Sequence, residues 1–226
     1  MDSVETQSNF SIEKARLAQS RLSRKIIRED KLPERIRLIA GVDVAYFESF
    51  SIGAVAVLDY SSMEVLESET AVCRTRFPYI PTLLSFREIP PAILSIQKLV
   101  LKPDVFLVDA HGFAHPHRCG MASHLGIVMG KPTIGVAKSW LFGKEKDARS
   151  RNDLILLKDG DEVIGAVVTT KPGRKPAYVS VGHMVSLEKA IVIVRHCTRQ
   201  TRIPEPILKA HRISTAEKQK LARLNS

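Results

Sequence analysis

The 226-residue sequence lacks long apolar runs, internal repeats and low-complexity tracts, and it has few cysteines. Its three cysteines are odd in number, lie far apart and form no Cys-x-x-Cys pair, which argues against a disulfide scaffold and indicates a reducing compartment. No apolar run approaches the roughly 20 residues that a membrane-spanning helix needs. The polar first ten residues do not resemble a secretory signal. We therefore predict a soluble, cytoplasmic protein with no membrane partner.

Positive charge is the property that the sequence has in excess. Lys and Arg number 34 against 24 Asp and Glu, which gives a formal net charge of +10. A polyanion is the natural partner, and nucleic acid is the first candidate; a solvated basic surface that aids solubility is the alternative. The hydrophobic fraction of 44% is ordinary for a globular protein with a core. At this length we predict a single domain over residues 1–226, acting as a monomer.

The spacing of the apolar residues predicts alternating helices and strands. An N-terminal helix is predicted over about 8–32, where Pro33 should end it. Further helices are predicted over 83–101, 120–129, 186–197 and 205–223. Strands are predicted over 36–46, 52–60, 63–74, 105–109, 133–136, 153–157, 163–169 and 177–181.

The order of these elements predicts an α/β fold of the ribonuclease H-like type, a mixed β-sheet flanked by helices, with its core over about 36–200. The fourth strand should lie beside the first and parallel to it, since a right-handed crossover makes that arrangement natural. Asp43, inside the first strand, and Asp109, at the end of the fourth, would then be close enough to share a metal ion. Burying one unpaired charge costs of order several kcal/mol. An arginine-paired Asp43 and a turn aspartate at 109 are the alternatives.

Several blocks of the sequence resemble the endonuclease V family, in the same order. They are GVDVAY (41–46), FPYIP (77–81) with LLSFRE (83–88), VDAHGFAHP (108–116) with ASHLG (122–126), GVAKS (135–139), VSVGH (179–183) and AHR (210–212). The resemblance covers about residues 36–212. It implies a DNA repair endonuclease that recognises deaminated bases, chiefly hypoxanthine (deoxyinosine). Such an enzyme hydrolyses the second phosphodiester bond 3′ to the lesion and leaves 3′-hydroxyl and 5′-phosphate ends.

The resemblance also implies a cofactor and the residues that use it. The cofactor is Mg²⁺, for which Mn²⁺ can substitute, and Asp43, Glu88 and Asp109 would be its carboxylate ligands. Taken alone, Glu88 would be interpreted as a solvated helix residue. His211 would hold a metal-bound water or a second metal ion, and Lys138 would contact a phosphate or orient the attacking water. A solvated surface side chain is the alternative for both.

A lesion-binding surface follows from the same resemblance. Pro78, Tyr79, Ile80 and Pro81 would form a strand-separating wedge, because an exposed aromatic can stack into a gap in a duplex. A core tyrosine in a proline-rich turn is the alternative. The extruded base would enter a tight pocket that excludes exocyclic amines, since an unpaired polar group costs about 1–3 kcal/mol. The predicted pocket residues are Thr82, Leu83, Leu84, Ala110, His111, Gly112, Gly120 and Met121, and His115 would line the pocket or touch a phosphate.

Two pocket positions depart from the family pattern. Thr82 and Ala110 stand where the family usually has glycine, which can take a positive φ or let a ligand approach the backbone closely. The carboxylates are untouched, so the departures affect the shape of the pocket and the lesion range rather than cleavage.

Alternatives to a DNA repair enzyme stay open at this point. The partner would be damaged DNA containing deoxyinosine, because a wedge makes most sense against a duplex, or inosine-containing RNA, told apart by its 2′-hydroxyl. A lesion-binding protein without catalysis is a second hypothesis, against which the intact carboxylates speak. Finally, His115, His117 and Cys119 could bind zinc, although their spacing is cramped and Pro116 stiffens it.

Overall fold

The computed structural model describes residues 11–145 and 153–224. Within them, nine strands form one sheet in the order β3-β2-β1-β4-β5-β9-β8-β7-β6. The strands are β1 (Leu38–Phe47), β2 (Phe50–Asp59), β3 (Val65–Arg74), β4 (Val105–Val108), β5 (Thr133–Ala137), β6 (Lys144–Glu145), β7 (Leu154–Asp159), β8 (Glu162–Val168) and β9 (Ala177–His183). The helices are α1 (Ile12–Ser23), α2 (Leu84–Ile96), α3 (Met121–Met129), α4 (Leu187–His196) and α5 (Glu205–Leu224). None of these described helices has the length and apolarity to cross a membrane.

The centre of the sheet confirms the predicted ribonuclease H-like α/β fold. β1, β2 and β3 form an antiparallel meander. β4 lies parallel to β1, with Val42 opposite Val108, and β5 lies parallel to β4. Asp43 directly follows Val42, and Asp109 directly follows Val108. The Asp109 amide donates to the Val42 carbonyl at 3.1 Å. Parallel strands with this register bring both carboxylates to the same part of the sheet.

Apolar layers cover both faces of the sheet, which explains why its central strands are apolar along most of their length. Ile39 packs on one face with residues of α4 and α5, and its neighbour Ala40 packs on the other with residues of α2 and α3. Gly41 marks the closest approach of α5 to β1, because a Cβ there would lie 2.0 Å from the Pro206 carbonyl oxygen. This approach lets α5 carry its side chains onto β1.

The N-terminal helix is shorter than predicted. α1 ends at Ser23 rather than near residue 32, and residues 8–10 of the prediction lie outside the described residues. The following segment bonds to the end of β9 instead. The Lys31 amide donates to the Met184 carbonyl at 3.0 Å, and the Met184 amide donates to the Ile27 carbonyl at 2.7 Å. Backbone groups satisfied in this way are not available to extend the helix.

The remaining elements match the predicted ranges to within two residues at each end, with two exceptions. α2 ends at Ile96 rather than 101, because the amides of Val100 and Leu101 each donate to the Glu67 carboxylate at 2.8 Å. β6 was not predicted: it has two exposed charged residues and therefore no apolar pattern.

Candidate active site

Two carboxylates and an imidazole meet where β1, β4 and α5 converge. Asp43, Asp109 and His211 each offer a ligand atom within 4.8 Å of the others, and they are the one such group of three found in the described part of the chain. His211 comes from α5, with its Nδ1 3.2 Å from Asp43 Oδ2. Asp43 is buried and the His211 side chain is 54% exposed. Two carboxylate donors and one imidazole fit a divalent cation.

Ser214 fixes the orientation of Asp43. Its buried hydroxyl donates to Asp43 Oδ2 at 2.6 Å. Ser214 follows His211 by three residues on α5, so both side chains lie on the same face of the helix. Sequence analysis missed this serine, although that spacing from a candidate ligand is the signal that could have found it. The aspartate is therefore held by two groups from one helix.

Lys138, which follows β5, forms a short ion pair with Asp109. Burial raises the pKa of Asp109 above its ordinary value, although the Lys138 ammonium opposes the shift. The lysine is itself held in place, because the Arg202 guanidinium donates to its carbonyl at 3.1 Å. The structure thus brings a fixed cation directly beside the second carboxylate.

Glu88 lies next to this group rather than in it. Its carboxylate accepts a hydrogen bond from the Tyr46 hydroxyl at 3.1 Å. Burial, to which the negative charges of Asp43 and Asp109 add, raises the pKa of Glu88 to about 8. Glu88 does not belong to the three side chains whose ligand atoms lie within 4.8 Å. It is nevertheless close enough for the aspartates to influence its protonation.

A cavity of about 450 Å³ opens beside Asp109 and Lys138. Most of the predicted wedge and pocket residues line it, namely Tyr79, Ile80, Pro81, Thr82, Leu84, Ala110, His111, His115, Gly120 and Met121, but Leu83 does not. Pro78 and Gly112 are not in its wall. The amide of the buried Gly112 donates to Ser180 Oγ at 2.9 Å, and a Cβ on it would lie 2.2 Å from the Val181 carbonyl oxygen. Gly112 therefore supports the wall from behind.

The two positions that depart from glycine differ in their backbone conformation. Thr82 has a φ of 67°, in the left-handed region, whereas Ala110 lies outside the positive-φ range. A non-glycine residue with a positive φ costs about 1–3 kcal/mol in backbone strain and persists only when its surroundings hold it. The Thr82 carbonyl is held by Gln19 of α1, whose Nε2 donates to it at 2.8 Å. The same Nε2 donates to the Cys119 carbonyl at 2.9 Å, so Gln19 joins two segments of the cavity wall.

The structure bears on two of the alternatives that the sequence left open. Tyr79 is 69% exposed, so the interpretation as a core tyrosine is wrong. His115 is buried and accepts a hydrogen bond from the His117 amide at 3.1 Å, and burial lowers its pKa to about 3. Burial raises the pKa of the Cys119 thiol to about 12, which disfavours the thiolate that zinc requires. In the described segments these residues do not form a three-ligand group.

Further residues of the cavity wall were not predicted. They are Ser85, Cys119, Ala137, Ser139, Trp140 and Leu141. Trp140 is the most conspicuous of them, since it is the one tryptophan of the sequence and 56% of it is exposed. Its position directly after Ala137–Lys138–Ser139 was the available signal.

Comparison with known proteins gives a consistent result. The family model described as Endonuclease V matches residues 20–212. Endonuclease V of Thermofilum pendens is 44% identical over 209 residues, which cover 92% of this chain and 89% of that protein. Endonuclease V of a Nostoc species is 42% identical over 209 residues, covering 91% of this chain and 95% of that protein.

Solved structures agree with the sequence comparison. The crystal structure of endonuclease V from Streptomyces avermitilis superposes with a TM-score of 0.87 at 35% identity, covering 94% of this chain and 95% of that chain. Endonuclease V from Ciona intestinalis, in complex with a 24mer DNA containing an inosine followed by a ribo-adenosine, has a TM-score of 0.83 at 34% identity. It covers 93% of this chain and 98% of that chain.

Proposed function

The chain belongs to the endonuclease V family and is therefore a hydrolytic endonuclease, and we propose that its substrate is damaged DNA containing deoxyinosine. It would hydrolyse the second phosphodiester bond 3′ to the lesion. Water adds to phosphorus, the bond to the 3′ oxygen breaks, and that oxygen takes up a proton. The products are a 3′-hydroxyl and a 5′-phosphate end. The convergence of Asp43, Asp109 and His211 beside a base-sized cavity carries this proposal.

Asp43, Asp109 and His211 would hold Mg²⁺, or Mn²⁺ in its place, with Glu88 as an adjacent fourth group. Such a cation, when bound, lowers the pKa of water and neutralises charge on the scissile phosphate. The raised pKa of Glu88 supports this assignment, because a nearby cation would favour its ionised form. The half-exposed His211 can orient water at the site, and Ser214 holds Asp43 in place.

Lys138 would contact a backbone phosphate. Its ammonium is fixed beside Asp109 and lines the cavity, so a phosphate entering the site meets a positioned positive charge. The formal net charge of +10 supports binding to a polyanion in general. Phosphate contacts of this kind give affinity and salt dependence but do not read the lesion.

The cavity would read the extruded base. A volume of about 450 Å³ accommodates a purine, and the exposed Tyr79 at its edge can occupy the gap that the base leaves. His115 is neutral near pH 7 because burial lowers its pKa to about 3, so it offers a hydrogen bond without a charge. Hypoxanthine lacks both the 2-amino group of guanine and the 6-amino group of adenine, and either amine would be left unpaired against such a wall.

RNA containing inosine is the second candidate substrate. The Ciona relative was solved in complex with DNA that contains an inosine followed by a ribo-adenosine, so the strand bound there includes one ribonucleotide. We further propose a cytoplasmic monomer. Every group of the proposed site comes from one chain, and Cys73, Cys119 and Cys197 are free thiols, as expected in a reducing compartment.

A nicking assay on oligonucleotides with one hypoxanthine, in DNA and in RNA, tests the proposal. We expect one cut at the second bond 3′ to the lesion, lost with EDTA and slowed at least about 100-fold in Asp109→Asn. Asp161→Asn removes an exposed carboxylate in the β7–β8 turn and is the matched control. Binding without cutting would refute the catalytic proposal, and equal cutting of hypoxanthine-free strands would refute the substrate.

A further inference from the structure

Trp140 lies at the cavity edge in a way that packing does not explain. It is 56% exposed, and it lines the same cavity as Lys138 and Tyr79, although it comes from a different loop than the tyrosine. A large aromatic side chain usually contributes stability by being buried. An indole kept half in water beside a proposed catalytic group is therefore available for a ligand.

The indole is fixed before any ligand arrives. Its Nε1 donates to the Gly143 carbonyl at 2.8 Å, which occupies its one polar group and leaves the ring for stacking. Gly143 has a φ of 96°, and a Cβ there would lie 2.8 Å from Ile164 Cδ1, so the acceptor sits in a backbone conformation that other residues fit poorly. The ring orientation is thus set by a close intraloop contact.

The loop that carries the indole is anchored on the side of the active site. His111 Nε2 lies 3.0 Å from the Ser139 carbonyl oxygen, within hydrogen-bond distance. Arg202 donates to the Lys138 carbonyl at 3.1 Å and to the Pro176 carbonyl at 2.7 Å. A loop held at these points loses little conformational freedom on binding, which favours affinity.

We propose that Trp140 stacks on an unpaired nucleobase of the substrate strand next to the lesion. The adjacent Lys138 would bind a phosphate of that strand, so ring and cation together match one nucleotide. Base stacking on an aromatic is tolerant of sequence, because every base has a π-face. Trp140 therefore gives affinity for single-stranded nucleic acid whether or not a lesion is present. That the stacked base belongs to the substrate strand next to the lesion rests on the proposed function, whereas the stacking of Trp140 on a base does not.

Because Trp140 is the one tryptophan, its fluorescence reports this site alone. We would titrate the full chain, in EDTA, with lesion-free oligothymidylate about 12 nucleotides long. Saturable quenching is expected. In parallel, anisotropy of the labelled oligonucleotide should show a loss of affinity of about 5- to 100-fold in Trp140→Ala and about twofold or less in Trp140→Phe. Val192→Ala, an exposed apolar truncation on α4, should bind like wild type.

An oligonucleotide of the same length built from abasic nucleotides separates stacking from phosphate binding. Wild type and Trp140→Ala should bind the abasic strand equally. If Trp140→Ala lost as much affinity for the abasic strand as for oligothymidylate, the proposal would be overturned. Absence of quenching, together with wild-type affinity of Trp140→Ala for oligothymidylate, would overturn it even if deoxyinosine DNA is nicked. Stacking without nicking would instead support Trp140 and refute the proposed function.

Discussion

Replacing Gln19 with methionine tests whether α1 shapes the proposed lesion pocket. Gln19 is 1% exposed, and its Nε2 donates to the carbonyls of Thr82 and Cys119 at 2.8 and 2.9 Å. Methionine has a similar length and flexibility but offers no N–H. The substitution therefore removes both hydrogen bonds to the cavity wall, together with the bond that Gln19 Oε1 accepts from Arg16 at 3.2 Å, while leaving little empty space behind.

The expected loss of stability follows from those two bonds. A buried acceptor left without a donor costs about 1–3 kcal/mol. The Cys119 carbonyl is the more deeply buried of the two, whereas the contact with Thr82 is partly buried, so water can compensate there. We expect a decrease of about 2–4 kcal/mol in the free energy of unfolding. Release of the positive φ at Thr82 should also let the pocket loop relax.

Urea unfolding in EDTA measures the first effect, and nicking kinetics on deoxyinosine DNA measure the second. We expect KM to rise about 10-fold with kcat changed little, because the proposed metal ligands lie on other elements. Gln97→Met, the same change on an exposed side chain at the end of α2, should alter stability by less than about 0.5 kcal/mol.

A double-mutant cycle with Thr82→Gly sharpens the experiment. Glycine takes a φ of 67° without strain, so the loss of Gln19 should raise KM less in that background. The reasoning is refuted if Gln19→Met is as stable as wild type. It is also refuted in its functional part if stability falls while KM stays unchanged, since Gln19 would then only hold the fold together.

Three further perturbations test the site and its support. In EDTA the difference in the free energy of unfolding between wild type and Glu88→Gln, measured by urea unfolding, should fall as pH rises from about 5 to about 8, because folded Glu88 keeps its proton up to a pKa of about 8 and the unfolded chain loses it near 4.5. Taking the difference cancels the buried histidines such as His115, whose lowered pKa acts in the opposite direction. Gly41→Ala should destabilise by about 3 kcal/mol or more, because its Cβ would lie 2.0 Å from a backbone oxygen of α5 that cannot move aside easily. Gly160→Ala, with a φ of 61° and nothing within 4 Å, should cost about 1 kcal/mol, and equal effects would contradict the close approach. Ser214→Ala should raise the half-saturating Mg²⁺ concentration for nicking about 10-fold by releasing Asp43, and an unchanged value would argue against that role.

The central fold could be predicted because local pattern and topology agree there. The runs that became β1 and β4 are apolar on both faces, and a right-handed crossover then places Asp43 near Asp109. The length of α1 could not be predicted, because residues after Ser23 have helical spacing but bond to residues beyond β9. Ile12 and Leu17, which contributed to that spacing, are each 52% exposed, and the polar Gln19 is buried instead.

The proposed site likewise contains residues that could be predicted from the sequence and residues that could not. Asp43 and Asp109 stood out because a charge within or directly after an apolar run requires a reason. Glu88 has no such sequence signal and was found through the family resemblance alone. Ser214 and Gln19 are polar residues in helices, where exposure is the usual state, so tertiary packing alone shows that each bonds into the site or the cavity wall.

The groups proposed for catalysis and those proposed for recognition lie on different parts of the fold. The aspartates are fixed by strand register, which tolerates little change because a shift by one residue turns every side chain to the other face. Thr82 and Trp140 lie on loops held by a few hydrogen bonds from elsewhere in the chain. Loops accept substitution more readily than paired strands. Threonine in place of the family's usual glycine can therefore alter the shape of the proposed pocket while Asp43 and Asp109 stay in register.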